Sequence, residues 1–291
     1  MKPAPFAYDR AGSVEETLAL LAEHGDEAKV LAGGQSLVPL LNFRLARPER
    51  LIDINEVQGL DRIDANGSLR IGALTRQATI EGSTEIRERV PLLHEAITYV
   101  AHPQIRNRGT IGGSVAHADP SAELPATFVA LDAAFHIRSA SGMRTVLARE
   151  MFVTHLTTVM RPDELLVEVE VPFPAPGTGS AFVEFARRHG DFALAGTAVL
   201  VGLADDGTCS RASIALLAAG PVPVRAVAAE QALLGHPLDD VVARDAAAVA
   251  VKDVEPLADI HGGSDYRRRT LEALVRRALL LAASRVTEER R

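Results

Sequence analysis

Apolar and polar positions along this chain follow two rhythms, and each change of rhythm marks where an element starts or stops. Ser13-Val14-Glu15-Glu16 has the pattern of a capping box, Leu18 and Leu21 continue an apolar stripe at helical spacing, and Gly25 closes it. Lys29 to Ala32 then reads as a strand, Leu37 to Leu45 as a helix stopped by Pro48, and Leu51 to Ile54 as another strand. These three segments make a βαβ-sized unit with a glycine turn, Gly33-Gly34, at the end of its first strand.

Further on, Leu69 to Leu74 predicts a strand, Thr75 to Glu81 and Leu92 to Ala101 predict helices, and Ala122 to Leu131 predicts another helix. Strands follow at Ala134 to Arg138, Arg144 to Leu147 and Leu165 to Val171, the last alternating apolar and acidic residues. Pro172-Phe173-Pro174-Ala175-Pro176-Gly177 is the best linker, so a domain boundary is expected there. This divides the chain into 1–174, itself in two parts of about 1–56 and 57–174, and 178–291. In the second portion Ala181 to Arg187 and Thr197 to Ala204 read as strands, and Asp206-Gly207 turns the chain into a partner strand at Ser210 to Ala218. Helical spacing then runs through Val224 to Leu234, Leu238 to Val251 and Asp265 to Val286, and the sum is an α+β protein.

Two glycine pairs carry the candidate chemistry: Ala32-Gly33-Gly34-Gln35-Ser36-Leu37 and Gly109-Thr110-Ile111-Gly112-Gly113-Ser114. Each follows an apolar run and reads as a strand that ends in a backbone cradle. A glycine pair removes two Cβ atoms, so consecutive N–H groups can turn toward one anion, and the flanking Gln, Thr and Ser add donors. Gly-Gly also occurs in ordinary tight turns, but two cradles with this flanking chemistry suggest a diphosphate gripped from two sides. No G-x-G-x-x-G follows a strand and no G-x-x-x-x-G-K-[ST] occurs, which excludes the Rossmann and P-loop scaffolds.

Composition narrows the field. The 291 residues are 47% apolar, ample for a buried core, and the net charge of −7, with basic residues scattered apart from Arg267-Arg268-Arg269 and the last few positions, argues against nucleic-acid binding. Cys209 is the single cysteine, so this chain forms no internal disulfide and ligates no iron–sulfur cluster alone. The first ten residues lack a signal-peptide core and no segment is apolar enough to span a bilayer, which places the protein in the cytoplasm by expectation.

Both cradles, together with Leu51-Ile52-Asp53-Ile54-Asn55, Ile105-Arg106-Asn107-Arg108, Ala118-Asp119-Pro120 and Gly190-Asp191-Phe192-Ala193, resemble the FAD-binding (medium) subunits of molybdenum hydroxylases, the family that includes carbon monoxide dehydrogenase, quinoline oxidoreductase and xanthine dehydrogenase. The resemblance spans nearly the whole chain. It implies a vanillyl-alcohol-oxidase-like (PCMH-type) FAD-binding domain of two α+β subdomains and a C-terminal α+β domain with a small antiparallel sheet and helices. It also implies that both cradles hold the diphosphate and ribityl chain, with Ser114 standing where relatives often carry Asn.

By the same resemblance Glu123 lies near the flavin ring, and Asp119 is a second candidate unless it only caps the following helix. His117 is in the same stretch, where satisfying a backbone group competes with contact to the cofactor. Phe192 falls where some relatives carry a Tyr against the flavin, which keeps stacking and loses a hydroxyl, and Leu166 packs on the ring or belongs to the core. No catalytic residue and no metal site are expected here. A small subunit with [2Fe–2S] clusters and a large molybdopterin subunit complete the implied enzyme, a dimer of heterotrimers in which this chain passes electrons to a terminal acceptor. The stretch Ile105 to Pro120 looks closer to the N-heteroaromatic hydroxylases than to the carbon monoxide dehydrogenases. Two rivals are a flavin-free scaffold subunit and a serine hydrolase centred on Ser36, the latter weakened by Val38 where the nucleophile elbow needs glycine.

Overall fold

The computed structural model describes residues 2–289. Strands β1 (Ala7–Arg10), β2 (Ala28–Leu31) and β3 (Arg50–Asp53) form an all-parallel sheet in the order β1-β3-β2, with helix α1 (Val14–His24) and helix α2 (Leu37–Asn42) as crossovers. The capping box is real but offset by one residue: Glu16 N donates to Ser13 Oγ at 3.1 Å, and Gly12 N donates to Glu16 Oε2 at 2.7 Å. Leu18 and Leu21 are buried with Ile52 and Ile54 in this first core. Helix α2 stops at Asn42, short of the expected Leu45, because Arg44 takes a left-handed backbone with φ 58°.

The second part is an antiparallel sheet in the order β4-β5-β10-β6-β7, from β4 (Ile63–Asp64), β5 (Leu69–Gly72), β6 (Ala134–Ser139), β7 (Gly142–Leu147) and β10 (Leu165–Val171). Between β5 and β6 lie α3 (Gln77–Gly82), α4 (Thr84–Arg89), α5 (Pro91–Ile97), α6 (Pro103–Arg106), α7 (Ile111–His117) and α8 (Glu123–Ala130). Helix α9 (Ala148–Met151) and the hairpin of β8 (Phe152–Thr154) and β9 (Thr157–Thr158) precede β10. The expected helix at Thr75 starts two residues later, because Arg76 is extended and bridges to Thr110. The expected Leu92 to Ala101 helix ends at Ile97, in turns that lead to Ala101 at φ 43°.

The C-terminal portion is an antiparallel sheet β11-β12-β13-β14, from β11 (Thr178–Phe185), β12 (Ala195–Leu203), β13 (Cys209–Leu217) and β14 (Val224–Arg225). It is covered by α10 (Val227–Leu233), α11 (Asp240–Ala250) and α12 (Ser264–Glu289). Val224 and Arg225, expected in a helix, instead pair with Leu216 and Ala215. One sheet face packs Val199, Ile214 and Leu216 against Leu279 and Ala282. The other face sends Phe182, Ala198, Leu200 and Ala215 into the same apolar cluster as Ile71, Phe128 and Phe135, so a continuous core crosses the linker. Arg285 of α12 closes the seam with two bonds to Glu95, at 2.8 and 2.9 Å, while Glu95 also accepts from Phe182 N at 3.0 Å.

Candidate functional site

The first glycine turn leaves the carboxyl end of β2, where a parallel βαβ unit leaves backbone donors unpaired. Gly34 has φ 74°, a conformation open to glycine and costly for a Cβ-bearing residue. Among the described residues, the N–H groups of Gly33, Gly34, Gln35 and Ser36 donate to no atom of the chain. The acceptors of the turn are occupied: Gly34 O by Val38 N at 3.0 Å, Gly33 O by Gln35 Nε2 at 2.9 Å, and Ala32 O by Asn55 Nδ2 at 2.9 Å. What remains is a row of donors without acceptors, the arrangement that receives an anion. Asn55 is held in turn by Asp53 Oδ1 at 2.7 Å, and Asp53 also accepts from Tyr8 at 2.5 Å. Burial alone would raise the Asp53 carboxyl, but the bonds from Tyr8 and Asn55 outweigh it and hold it below the usual carboxylate range.

The second glycine turn differs from expectation. It follows helix α6 rather than a strand, and Gly112 and Gly113 lie in the first turn of helix α7. From Ile111 to Ser114 its N–H groups are spent: Ile111 N on Thr75 O at 3.1 Å, Gly112 N on Ala73 O at 2.8 Å, Gly113 N on Thr110 Oγ1 at 3.0 Å and Ser114 N on Thr110 O at 3.2 Å. This turn is therefore not an open backbone nest. Its glycines allow close approach: a Cβ on Gly112 would lie 2.5 Å from the Ala73 Cβ, and one on Gly113 would lie 2.7 Å from Thr110 Oγ1. Buried Arg106 anchors the turn from behind, with bonds of 2.8 and 2.7 Å to Glu81 and 2.8 Å to Val100 O.

The two turns meet. A Cβ on Gly33 would stand 2.2 Å from Arg108 O, so only glycine lets the first turn rest on the backbone of the second. Arg76, which sequence reasoning missed, ties them together: Nη1 donates to Arg108 O at 2.5 Å and Nη2 to Asn55 Oδ1 at 2.7 Å. Burial and the neighbouring Arg108 lower its pKa. The two guanidiniums crowd positive charge beside the open N–H row, and Thr75 Oγ1, close to the same junction, is buried without a partner among the described residues. These residues fit a diphosphate.

Other candidates fan out from α7. His117 ends the helix, and burial lowers its pKa. Asp119 Oδ1 accepts from Ser121 N at 2.9 Å and shapes the turn before α8, whose N-cap is Ala122. Pro120 O accepts from Ala218 N at 2.8 Å, tying this turn to the C-terminal sheet. Glu123 is buried in the first turn of α8, and burial, with Asp119 adding, pushes its carboxyl up to about 7. Leu166 is 3% exposed and belongs to the core, whereas Phe192, 68% exposed, stands on the loop between β11 and β12. Ser36 Oγ makes no hydrogen bond among the described residues, so no histidine activates it as a nucleophile.

This geometry coincides with what known proteins share with the chain. Residues 4–174 match the family described as the FAD binding domain in molybdopterin dehydrogenase, and residues 180–282 match the CO dehydrogenase flavoprotein C-terminal domain. The chain belongs to the family of FAD-binding medium subunits of molybdenum hydroxylases, and it is an oxidoreductase subunit. It is 48% identical over 286 residues to the 6-hydroxypseudooxynicotine dehydrogenase complex subunit alpha of Paenarthrobacter nicotinovorans, covering 98% of this chain and 97% of that one. It is 41% identical over 288 residues to the caffeine dehydrogenase subunit beta of Pseudomonas sp. (strain CBB1), with 98% and 97% covered. Among solved structures it superposes on carbon monoxide dehydrogenase from Hydrogenophaga pseudoflava with a TM-score of 0.95 at 41% identity, covering 98% of this chain and 99% of that one. Quinoline 2-oxidoreductase from Pseudomonas putida 86 gives a TM-score of 0.93 at 38% identity over 98% and 99%. No helix among the described residues is long and apolar enough to cross a membrane.

Proposed function

We propose that this chain is the electron outlet of a heterotrimeric molybdenum hydroxylase: its FAD takes electrons from a small subunit with [2Fe–2S] clusters and passes them to a terminal acceptor. The observation that carries this reading is the row of unpaired N–H groups from Gly33 to Ser36, set against the second glycine turn and the guanidiniums of Arg76 and Arg108. FAD supplies the redox chemistry, since it accepts and donates electrons singly or in pairs.

The chain's own residues position and insulate it. Gly33, Gly34, Gln35 and Ser36 bind the diphosphate, Arg76 compensates its charge, and Thr110, Ser114 and Asp119 are placed for the ribityl chain. Ala32, Leu37, Gly109, Ile111, Gly112 and Gly113 keep the two turns in contact. Glu123 and His117 face the ring with their charge suppressed by burial, Phe192 covers it, and Leu166 backs it from the core. A large molybdopterin subunit performs the hydroxylation, and the heterotrimers pair into dimers. The relatives named for caffeine and 6-hydroxypseudooxynicotine, with the Ile105 to Pro120 stretch, favour an N-heterocyclic compound as the substrate of the whole enzyme.

A visible absorption spectrum of the purified chain tests this. A flavin spectrum at one FAD per chain, with the chromophore released by heat and identified against FMN, is the expected result. A colourless protein that takes up no added FAD overturns it and favours the scaffold reading.

A further inference from the structure

The loop between β11 and β12 holds a phenylalanine in solvent between fixed points. Phe192 is 68% exposed, yet Ala193 beside it is buried in the core shared by both portions of the chain. Leu194 N donates to Phe185 O at 2.8 Å and Asp191 N to Arg188 O at 3.1 Å, so the loop is closed on itself. The His189 ring meets Tyr99 edge-on, with centroids 6.0 Å apart, and Arg187 Nη1 lies 3.1 Å from His261 Nδ1. A large aromatic side chain kept out of the core by a loop pinned at several points is presented to a ligand or partner.

Gly190 makes the closest of these contacts. Its φ of 86° is left-handed, and a Cβ added there would stand 2.6 Å from Ala101 O and 2.5 Å from His102 Cε1. The imidazole can swing aside, but the carbonyl is fixed. Ala101 is itself left-handed at φ 43°, and the buried Arg106 guanidinium donates to Ala101 O at 3.3 Å and to Val100 O at 2.8 Å. This is the same side chain that anchors the second glycine turn and is held by Glu81. His102 is the N-cap of α6, and Arg108, two residues past the end of that helix, is where Gly33 rests. The loop and the N–H row therefore stand at opposite ends of one short helix, about 9 Å apart along its axis at about 1.5 Å per residue. The ribityl chain of FAD bridges a separation of this size.

Resting on the reading that FAD lies with its diphosphate on the N–H row and its ring against Phe192, we propose that Gly190 is a positioning residue. It lets the loop seat on the ledge of Ala101 and His102, and so sets where Phe192 meets the flavin. Because Arg106 holds both that ledge and the second glycine turn, one buried guanidinium fixes the ring cover relative to the cofactor's seat. Gly190 acts through Phe192: a Cβ at this position raises the loop and withdraws the phenyl ring, while the N–H row from Gly33 to Ser36 stays in place.

The chain contains no tryptophan, so Phe192→Trp introduces a single fluorescent probe on the loop. Flavin quenches indole emission at contact, and saturating FAD should therefore quench Phe192→Trp severalfold. Adding Gly190→Ala should leave about one FAD per chain and return most of the emission. Gly207→Ala, at another left-handed position with φ 82° but with nothing within 4 Å of the added Cβ, should leave the quenching unchanged. His102→Ala, which lowers the ledge instead of raising the loop, should relieve the quenching in part, and it carries the test if Gly190→Ala does not fold. Bound flavin with full quenching in the Gly190→Ala and His102→Ala backgrounds, or relief in Gly207→Ala equal to that in Gly190→Ala, overturns the positioning role. Flavin bound to Phe192→Trp without any quenching overturns it too and leaves the diphosphate site standing. A wild-type chain that takes up no FAD overturns both this proposal and the cofactor reading beneath it.

Discussion

The two glycine-rich turns look interchangeable in the sequence and do opposite work in the fold. The first keeps its N–H groups free from Gly33 to Ser36, so its glycines serve an incoming ligand. The second spends the N–H groups of Ile111 to Ser114 on Thr75, Ala73 and Thr110, so its glycines serve packing. A glycine pair is thus ambiguous between exposing the backbone and bringing it close. What distinguishes the cases is whether an acceptor already waits for each donor, a property of distant strands rather than of the pair.

Changing Gly33 is expected to have the largest effect. Gly33→Val places side-chain atoms where Arg108 O already stands, so FAD content should drop from about one per chain to below a tenth, read from the ratio of flavin to protein absorbance. In the double variant Gly33→Val and Gly113→Val the protein should be colourless and still soluble, and unchanged FAD stoichiometry would sink the idea that both turns shape one site.

Support for the second turn comes next. Glu81→Gln leaves the buried Arg106 guanidinium without its carboxylate and should cost about 1–2 kcal/mol in urea unfolding, less than for a fully buried pair because Glu81 is partly exposed. This pair also sets a pH dependence. The bonds from Arg106 hold the Glu81 carboxyl below its ordinary range, so its contribution is complete above the unfolded value of about 4.3 and is lost as pH falls through the folded value. Glu123 and Glu184 act with the opposite sign: their raised values mean that the folded chain binds more protons, so stability falls as pH rises from about 4.3 toward 8. Urea midpoints measured across pH should therefore peak between the two slopes, and Glu81→Gln should flatten only the acid side.

Arg76→Gln removes the tie between the turns and should weaken FAD binding by about ten- to a hundredfold, corresponding to about 1.5–3 kcal/mol for bonds made by a charged group. Flavin fluorescence quenching on adding FAD to flavin-free protein measures it. Thr110→Ala should have the smallest effect, about 1 kcal/mol through the lost cap of α7, visible as a Tm lowered by a few degrees, with FAD binding weakened less than in Arg76→Gln. An equal loss of FAD in Thr110→Ala and Gly33→Val would erase the contrast between the turns.

The βαβ unit was legible in the sequence because strand, glycine turn, helix and strand are all local patterns. Helix α7 was not, because a segment opening Ile-Gly-Gly-Ser has poor helix propensity and is carried by Thr110 and by contacts to Ala73 and Thr75, more than 30 residues earlier. Arg76 gave no local signal, since its partners Asn55 and Arg108 lie 21 and 32 positions away. Glu184 gave no local signal either: it stands one place from the end of β11, and its Oε2 is buried without a partner among the described residues.

The clasp between Glu95 and Arg285 joins residues 190 positions apart. During synthesis both glycine turns are made long before Arg285 exists. The clasp can therefore close only after 190 further residues have been made. Until then the part of the core that the C-terminal sheet supplies, Phe182, Leu200 and Ala215 among it, is still missing from the N-terminal portion.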